Sequence, residues 1–295
     1  MSRVDAVPAP LLVLAGVVSV QFGGALAATL VPQIGAAGSV VLRLLIATAL
    51  LLLFARPRWR GHRPRDWATV GCFGLALGLM NFAFYASLGH LPIGVAVTIE
   101  FIGPLTLAAV LSRRPRDLLA VAAAGVGVVL ISQALSLPFA DLERTGIVLA
   151  LLAGACWAAY IVFSGRTGAA FPQLEGLALA MVVATAVVLP FGIWDVSVHG
   201  TSAWDGTVLL KGLGIAVLSS VLPYSLELLA LRRLTPAVFG ILLSLEPAVA
   251  ALAGLLVLGQ RLDPIQLTGM ALVVLASFLV LGLGASRRRQ PDLPA

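Results

Sequence analysis

The chain has 295 residues, of which 60% are hydrophobic and 11% charged, with a formal net charge of +6. A soluble domain carries roughly a quarter of charged residues, so one water-soluble core is excluded and a series of membrane-crossing segments is expected. A positive chain would also suit nucleic acid or an acidic partner, but the placement of the arginines assigns that charge to membrane topology, and no nucleic-acid partner is expected.

Cut at proline, glycine and charge clusters, the chain leaves ten apolar runs, near 10–29, 36–55, 68–88, 93–112, 118–135, 146–164, 174–193, 208–229, 236–258 and 264–284. Each is close to the ~20 residues that cross ~30 Å of hydrocarbon as a helix. The runs are too long, and alternate too little, for barrel strands. The first run follows Arg3 and contains Ala25-Leu26-Ala27, which imitates a signal peptide. Asp5 balances the leading charge and Gln21 interrupts the run, so a retained helix is expected. The second run contains Arg43, and the third contains Asn81, Tyr85 and the small pair Gly74 and Gly78, a pattern that suits close helix packing. Glu100 and Pro104 fall in the fourth, Trp157 and Tyr160 in the sixth, Tyr224 and Glu227 in the eighth, and Glu246 and Pro247 in the ninth. Glu175 sits at the mouth of the seventh. Connections are short; the longest runs from Trp194 to about Thr207.

Chemistry-bearing motifs are sparse. Cys72 and Cys156 lie in apolar runs and are read as small packing residues, without disulfide or metal spacing. His62, His90 and His199 are expected in connections, and no HExxH, GxSxG or P-loop pattern occurs. No cofactor and no metal are expected, and the chain is not read as an enzyme.

Orientation follows from basic residues. With the N-terminus inside, cytoplasmic segments hold Arg3, the cluster from Arg56 to Arg65, Arg113, Arg114, Arg116, Arg166, Arg232, Arg233 and Arg287 to Arg289, which is 15 of 19 basic residues. Arg144, Lys211 and Arg261 fall outside, and Arg43 lies within the second run. The excess of arginine on one side places both termini in the cytoplasm. Trp59 and Trp67 flank the inner basic loop, and Trp194 and Trp204 the longest outer one, as interfacial tryptophans do.

The halves also resemble each other. A shift of 143 residues lays LGHLPIGVAVTIEFIGPLTLA over LRRLTPAVFGILLSLEPAVAA, matching Leu88 with Leu231, Leu91 with Leu234, Val95 with Val238, Pro104 with Pro247 and Ala108 with Ala251. Matched loops carry opposite charge bias: GHLP stands against RRLTP, and RRPRD against GQRLD. Two five-helix repeats of opposite orientation produce that swap, and inverted repeats point to a transporter with a site near the midplane. The expected fold is an all-α polytopic membrane protein, with ten transmembrane helices as two inverted repeats over 1–140 and 141–295.

Several stretches then carry a family resemblance: LVPQIGAAGSVVLRLL, LPIGVAVTIEFIGPL, SSVLPYSLELLALRRL and LLSLEPAVAALAGLLVLGQRLDPIQL. Together, from about Gln21 to about Ser277, the chain resembles the drug/metabolite transporter superfamily, built from EamA-type repeats. Within it, the chain is similar to the bacterial threonine and homoserine exporter family. That resemblance implies export of small metabolites from the cytoplasm, with aromatic amino acids or drug-like compounds as the alternative cargo.

Intramembrane polar residues mark the expected site. A charge at mid-membrane must face a cavity, find a partner or be neutral. Glu246 and Glu100 differ by three positions across the repeat alignment, which puts them on similar faces of equivalent, proline-bearing helices. Burial of a carboxyl favours its protonated form, so the two are candidates for proton coupling; the rival reading is that they lock helices together. Arg43 shares a depth with Glu100 and is a candidate ion-pair partner for it, or else satisfies helix-end carbonyls or snorkels outward. Asn81 with Tyr85, and Trp157 with Tyr160, are helical pairs suited to a cavity wall or to core packing. Tyr224 and Gln21 need hydrogen-bond partners in the membrane. Glu227, close to Arg232 and Arg233, is read as a gate or surface ion pair, and Pro104 and Pro247 as bends. The leading function is a secondary transporter with a small-molecule substrate, lipid around it and protons as a candidate coupling ion. An intramembrane enzyme and a non-transporting subunit are the other classes.

Overall fold

The computed structural model describes residues 7–91, 93–112, 115–132, 143–199, 204–249, 252 and 263–285. The proposed repeat boundary at 140/141, most of the ninth run beyond 249, and Arg3, Arg113, Arg114, Arg261 and Arg287 to Arg289 lie outside the described residues. All regular structure among the described residues is helical.

We number the helices α1 (Ala9–Ala28), α2 (Val31–Ala55), α3 (Pro64–Ser87), α4 (Ile93–Leu111), α5 (Pro115–Ser132), α6 (Arg144–Ala170), α7 (Glu175–His199), α8 (Gly206–Leu231), α9 (Pro236–Val249) and α10 (Pro264–Ala285). Each falls on one of the ten apolar runs. By length and composition, segments of α2, α3, α6, α7 and α8 are apolar enough to cross a membrane, while α1, α4, α5, α9 and α10 contribute shorter apolar stretches. Proline explains several boundaries: Pro32, Pro64 and Pro236 stand in first turns, where a missing N–H costs nothing.

The largest departures from the sequence reading are at two helix ends. α7 continues past Trp194 to His199, because nothing between Trp194 and Gly200 breaks a helix. His199 therefore ends a helix instead of lying in a connection, and the longest outer loop is shorter than expected. α6 likewise runs on to Ala170, carrying Arg166, whose guanidinium carbon lies 5.5 Å from the Phe163 ring centroid.

Three local irregularities shape the bundle. α2 is kinked at Gly35, whose φ of 74° is a conformation that glycine adopts without strain. α8 contains a π turn over Val217–Val221, just ahead of Pro223. There the Leu218 carbonyl accepts a hydrogen bond from Ser19 of α1 at 2.7 Å. α9 is interrupted at Ser244. Pro247 explains that break, since it has no N–H for the Leu243 carbonyl and its ring crowds that carbonyl. Pro104 acts differently: α4 stays helical through it.

Packing is close. α3 lies between α6 and α7, α2 against α7, α4 against α6 and α9, α1 against α8, and α5 against α10. Small residues make this possible, as they do where helices meet without a hydrophobic drive between them. A Cβ on Gly74 would stand 2.4 Å from the Ala180 carbonyl oxygen, and one on Gly78 2.9 Å from that of Ala184. At the α4–α6 crossing, a Cβ on Gly103 would stand 1.9 Å from the Gly154 oxygen. α5 and α10 meet reciprocally, since Cβ atoms on Gly127 and Gly269 would each stand 2.7 Å from the other residue's carbonyl oxygen.

Candidate functional site

Several of the buried polar side chains meet in a group contributed by α2, α3, α6 and α8, apart from the Thr48–Thr185 pair that joins α2 to α7. On α2, Arg43 is 6% exposed and donates from Nη2 to Oδ1 of Asn81 on α3. Its guanidinium carbon also lies 5.5 Å from the centroid of Tyr85, one turn further along α3. Asn81 is held from two sides: its Nδ2 donates to the Leu77 carbonyl at 2.9 Å and to the Tyr224 hydroxyl at 3.2 Å. Those bonds fix the amide so that its oxygen faces Arg43.

The Tyr224 ring of α8 lies 5.8 Å from that of Tyr160 on α6, and Tyr160 donates to Oε2 of Glu227 at 2.6 Å. Tyr160 also packs on Phe73 of α3, ring centroids 5.4 Å apart. Tyr224 and Glu227 stand one turn apart on α8, after the π turn, so both point to the same side of the helix. Glu227 is thus buried and hydrogen-bonded, which overturns its reading as a surface ion pair. The neighbouring arginines bind elsewhere: Arg232 donates to the Phe171 and Gln173 carbonyls, and Arg233 to the Val7 carbonyl.

Glu246, after the break in α9, interacts electrostatically with both Glu227 and Glu100. The three carboxylates therefore belong to one neighbourhood, although they come from three helices. Glu100 is buried on α4, where Phe101 packs edge-on against Trp157 of α6 at 4.8 Å between centroids. Pro104 deprives the Glu100 carbonyl of its intrahelical donor. That carbonyl is the group on which Gly154 packs: a Cβ there would stand 2.5 Å from it.

Arg43 and Glu100 do not form the ion pair considered from their equal depth; the acceptor that Arg43 meets is the Asn81 amide. Equal depth does not fix direction around a helix, and α2 turns Arg43 toward α3. Gln21 on α1 is half-buried and joins none of these contacts. Pro247 is buried beside Glu246, and Trp157 lines the side near Glu100. The sequence reading missed Phe73 and Phe101, which look like ordinary core residues in an apolar run. It also missed the Asn81–Tyr224 bond, although the shift of 143 residues that aligned the halves places those two positions on each other.

The arrangement is a cation at one end, a neutral amide and two phenols in the middle, and carboxylates at the other end. It can bind a small solute bearing both charges, and hold or release protons on carboxylates. Among the described residues, no group of three or more His, Cys, Asp or Glu is placed to hold a metal ion.

Comparison with known proteins gives concordant results. Residues 144–282 match the EamA-like transporter family. The threonine/homoserine exporter RhtA of Salmonella typhimurium strain LT2 is 39% identical over 284 residues, covering 96% of this chain and 93% of the exporter. The threonine/homoserine exporter RhtA of Escherichia coli K12 is 39% identical over 267 residues, covering 90% of this chain and 88% of its own. One solved crystal structure superposes with a TM-score of 0.73 at 20% identity, over 92% of this chain and 98% of that one, a likeness of fold.

Proposed function

Since the chain belongs to the EamA-like transporter family, we propose that it exports small polar amino acids of the threonine and homoserine type across the cytoplasmic membrane, exchanging them for protons. The chain is a multi-pass membrane transporter and not an enzyme. The observation that carries the choice of cargo is the 39% identity, over 96% of the chain, to an exporter of those two amino acids. The buried group from Arg43 to Glu100 is the proposed site, with Glu246 as the coupling carboxylate. Asn81, Tyr85, Trp157, Tyr160 and Tyr224 line it, and Arg43, Glu227, Pro104 and Pro247 shape it.

The proposed architecture is ten spans in two inverted repeats, 1–140 and 141–295, with both termini in the cytoplasm. What supports the repeat is the packing order: exchanging each helix for the one five places on turns α3–α6 into α8–α1, α4–α6 into α9–α1 and α3–α7 into α8–α2, all of which pack. The pairs α2–α7, α4–α9 and α5–α10 exchange into themselves. Asn81 and Tyr224, hydrogen-bonded to each other, are separated by 143 residues, the offset that aligned the halves. Equivalent positions meet only near a two-fold axis, so this bond supports an axis passing through the site.

Purified protein in proteoliposomes, loaded with labelled amino acids under an imposed pH gradient, tests the reading. The expected result is gradient-dependent flux of threonine and homoserine exceeding that of aromatic amino acids. Glu246→Gln should carry flux that no longer responds to the gradient. Equal gradient response in the variant makes Glu246 a structural residue, and aromatic flux in excess moves the cargo to the alternative class.

A further inference from the structure

We infer that Arg43 is the anion-binding residue of this site, receiving the carboxylate of an amino-acid substrate; the inference rests on the export reading above. A guanidinium offers five N–H donors in a planar fork and keeps its charge in proteins. The described partners of Arg43 are the Asn81 oxygen, which takes Nη2, and the face of Tyr85. Its Nε is buried and has no hydrogen-bond partner among the described residues. No ion pair joins Arg43 to Glu100, Glu227 or Glu246; those carboxylates neighbour one another, and Tyr224 lies within electrostatic reach of both Arg43 and Glu227.

An unpaired permanent cation at membrane depth is costly, and helix packing alone does not call for one. What Arg43 lacks is an anion, and the surrounding groups hold it ready for one. Asn81 is fixed by its own bonds to Leu77 and Tyr224, and thereby fixes one edge of the guanidinium. Tyr85 supports the plane from its face. A fork held in this way matches a carboxylate or a phosphate. The acidic far side decides between them, because Glu227 and Glu246 suit the ammonium of a zwitterion and oppose a phosphate dianion. A cation on α2 and carboxylates on α8 and α9 thus mirror the two charges of an amino acid.

The test uses labelled threonine flux in proteoliposomes, with unlabelled competitors. On the unmodified protein, threonine should compete, while threonine methyl ester and 1-amino-2-propanol, which lack the carboxylate, should compete at least ~30-fold more weakly. Inorganic phosphate should not compete. Arg43→Gln should raise KM for threonine by roughly 30-fold or more while leaving KM for the ester unchanged, and Arg43→Lys should recover part of the loss. The proposal is overturned if the ester competes as well as threonine, if phosphate competes better than threonine, or if R43Q keeps the original KM. It is equally overturned if adding Glu100→Gln to R43Q restores threonine flux, which assigns Arg43 to an ion pair with Glu100 formed in another state of the cycle. Should R43Q not fold, the competition on the unmodified protein decides alone. Absence of any amino-acid flux sinks the export reading together with this one; amino-acid flux indifferent to the carboxylate sinks only the role of Arg43.

Discussion

At the scale of single residues, the site depends on polar groups that have nowhere else to bond. Glu227 is buried and its described donor is the Tyr160 hydroxyl at 2.6 Å. Tyr160→Phe leaves that carboxyl without a donor and should cost about 1–3 kcal/mol, read as a lower melting temperature in detergent. Tyr224→Phe should cost less, about 1 kcal/mol, because Asn81 keeps its bond to the Leu77 carbonyl. Equal losses in the two variants would mean that the Tyr160–Glu227 bond has no special weight. The identities of these residues were legible in the sequence, since an acid or an arginine inside an apolar run is conspicuous. Their partners were not. Residue spacing gives depth along a helix, whereas partnership needs the rotation of each helix about its axis. That rotation is set by small-residue contacts and, in α8, by a π turn that rephases Tyr224 and Glu227 relative to the first half of the helix.

At the scale of helices, the two proline-bearing segments behave unlike each other. α9 breaks at Ser244 ahead of Pro247, while α4 continues through Pro104 and hands the freed Glu100 carbonyl to the α6 crossing. Restoring the missing N–H with Pro247→Ala should let α9 run on through Ser244. The expected outcome is a higher melting temperature with slower threonine flux, because a straightened α9 moves Glu246. Faster or unchanged flux would remove the break from the transport cycle. The α4–α6 crossing is the less forgiving of the two places. Gly154→Val drives its side chain into the Glu100 backbone, where no rotamer change relieves the clash. A loss of about 1–3 kcal/mol is expected, against little change for Gly165→Ala on the same helix, where a Cβ meets nothing within 4 Å. Helix positions were legible because ~20-residue apolar runs have little alternative in a bilayer. The differing effects of the two prolines were not, because identical residues at aligned positions carry no record of what stands across from them.

At the scale of the whole molecule, the proposed inversion makes a topological prediction. A fluorescent reporter that folds only in the cytoplasm should be bright when fused to either terminus, and a periplasm-dependent phosphatase fused there should be silent. A bright N-terminal fusion with a dark C-terminal one would mean an odd number of spans. The hydrogen bond between Asn81 and Tyr224 has a consequence of its own under that two-fold. A perfectly symmetric pair of repeats would open to either side of the membrane with the same energy, because each state would be the other turned over. The axis is where this degeneracy is hardest to lift, since a residue there faces its own counterpart. Here the counterparts are an amide and a phenol, and the amide is tied to a guanidinium that the phenol's half does not supply. Under the proposed two-fold, the two access states are therefore expected to be unequal at this contact, their point of closest likeness.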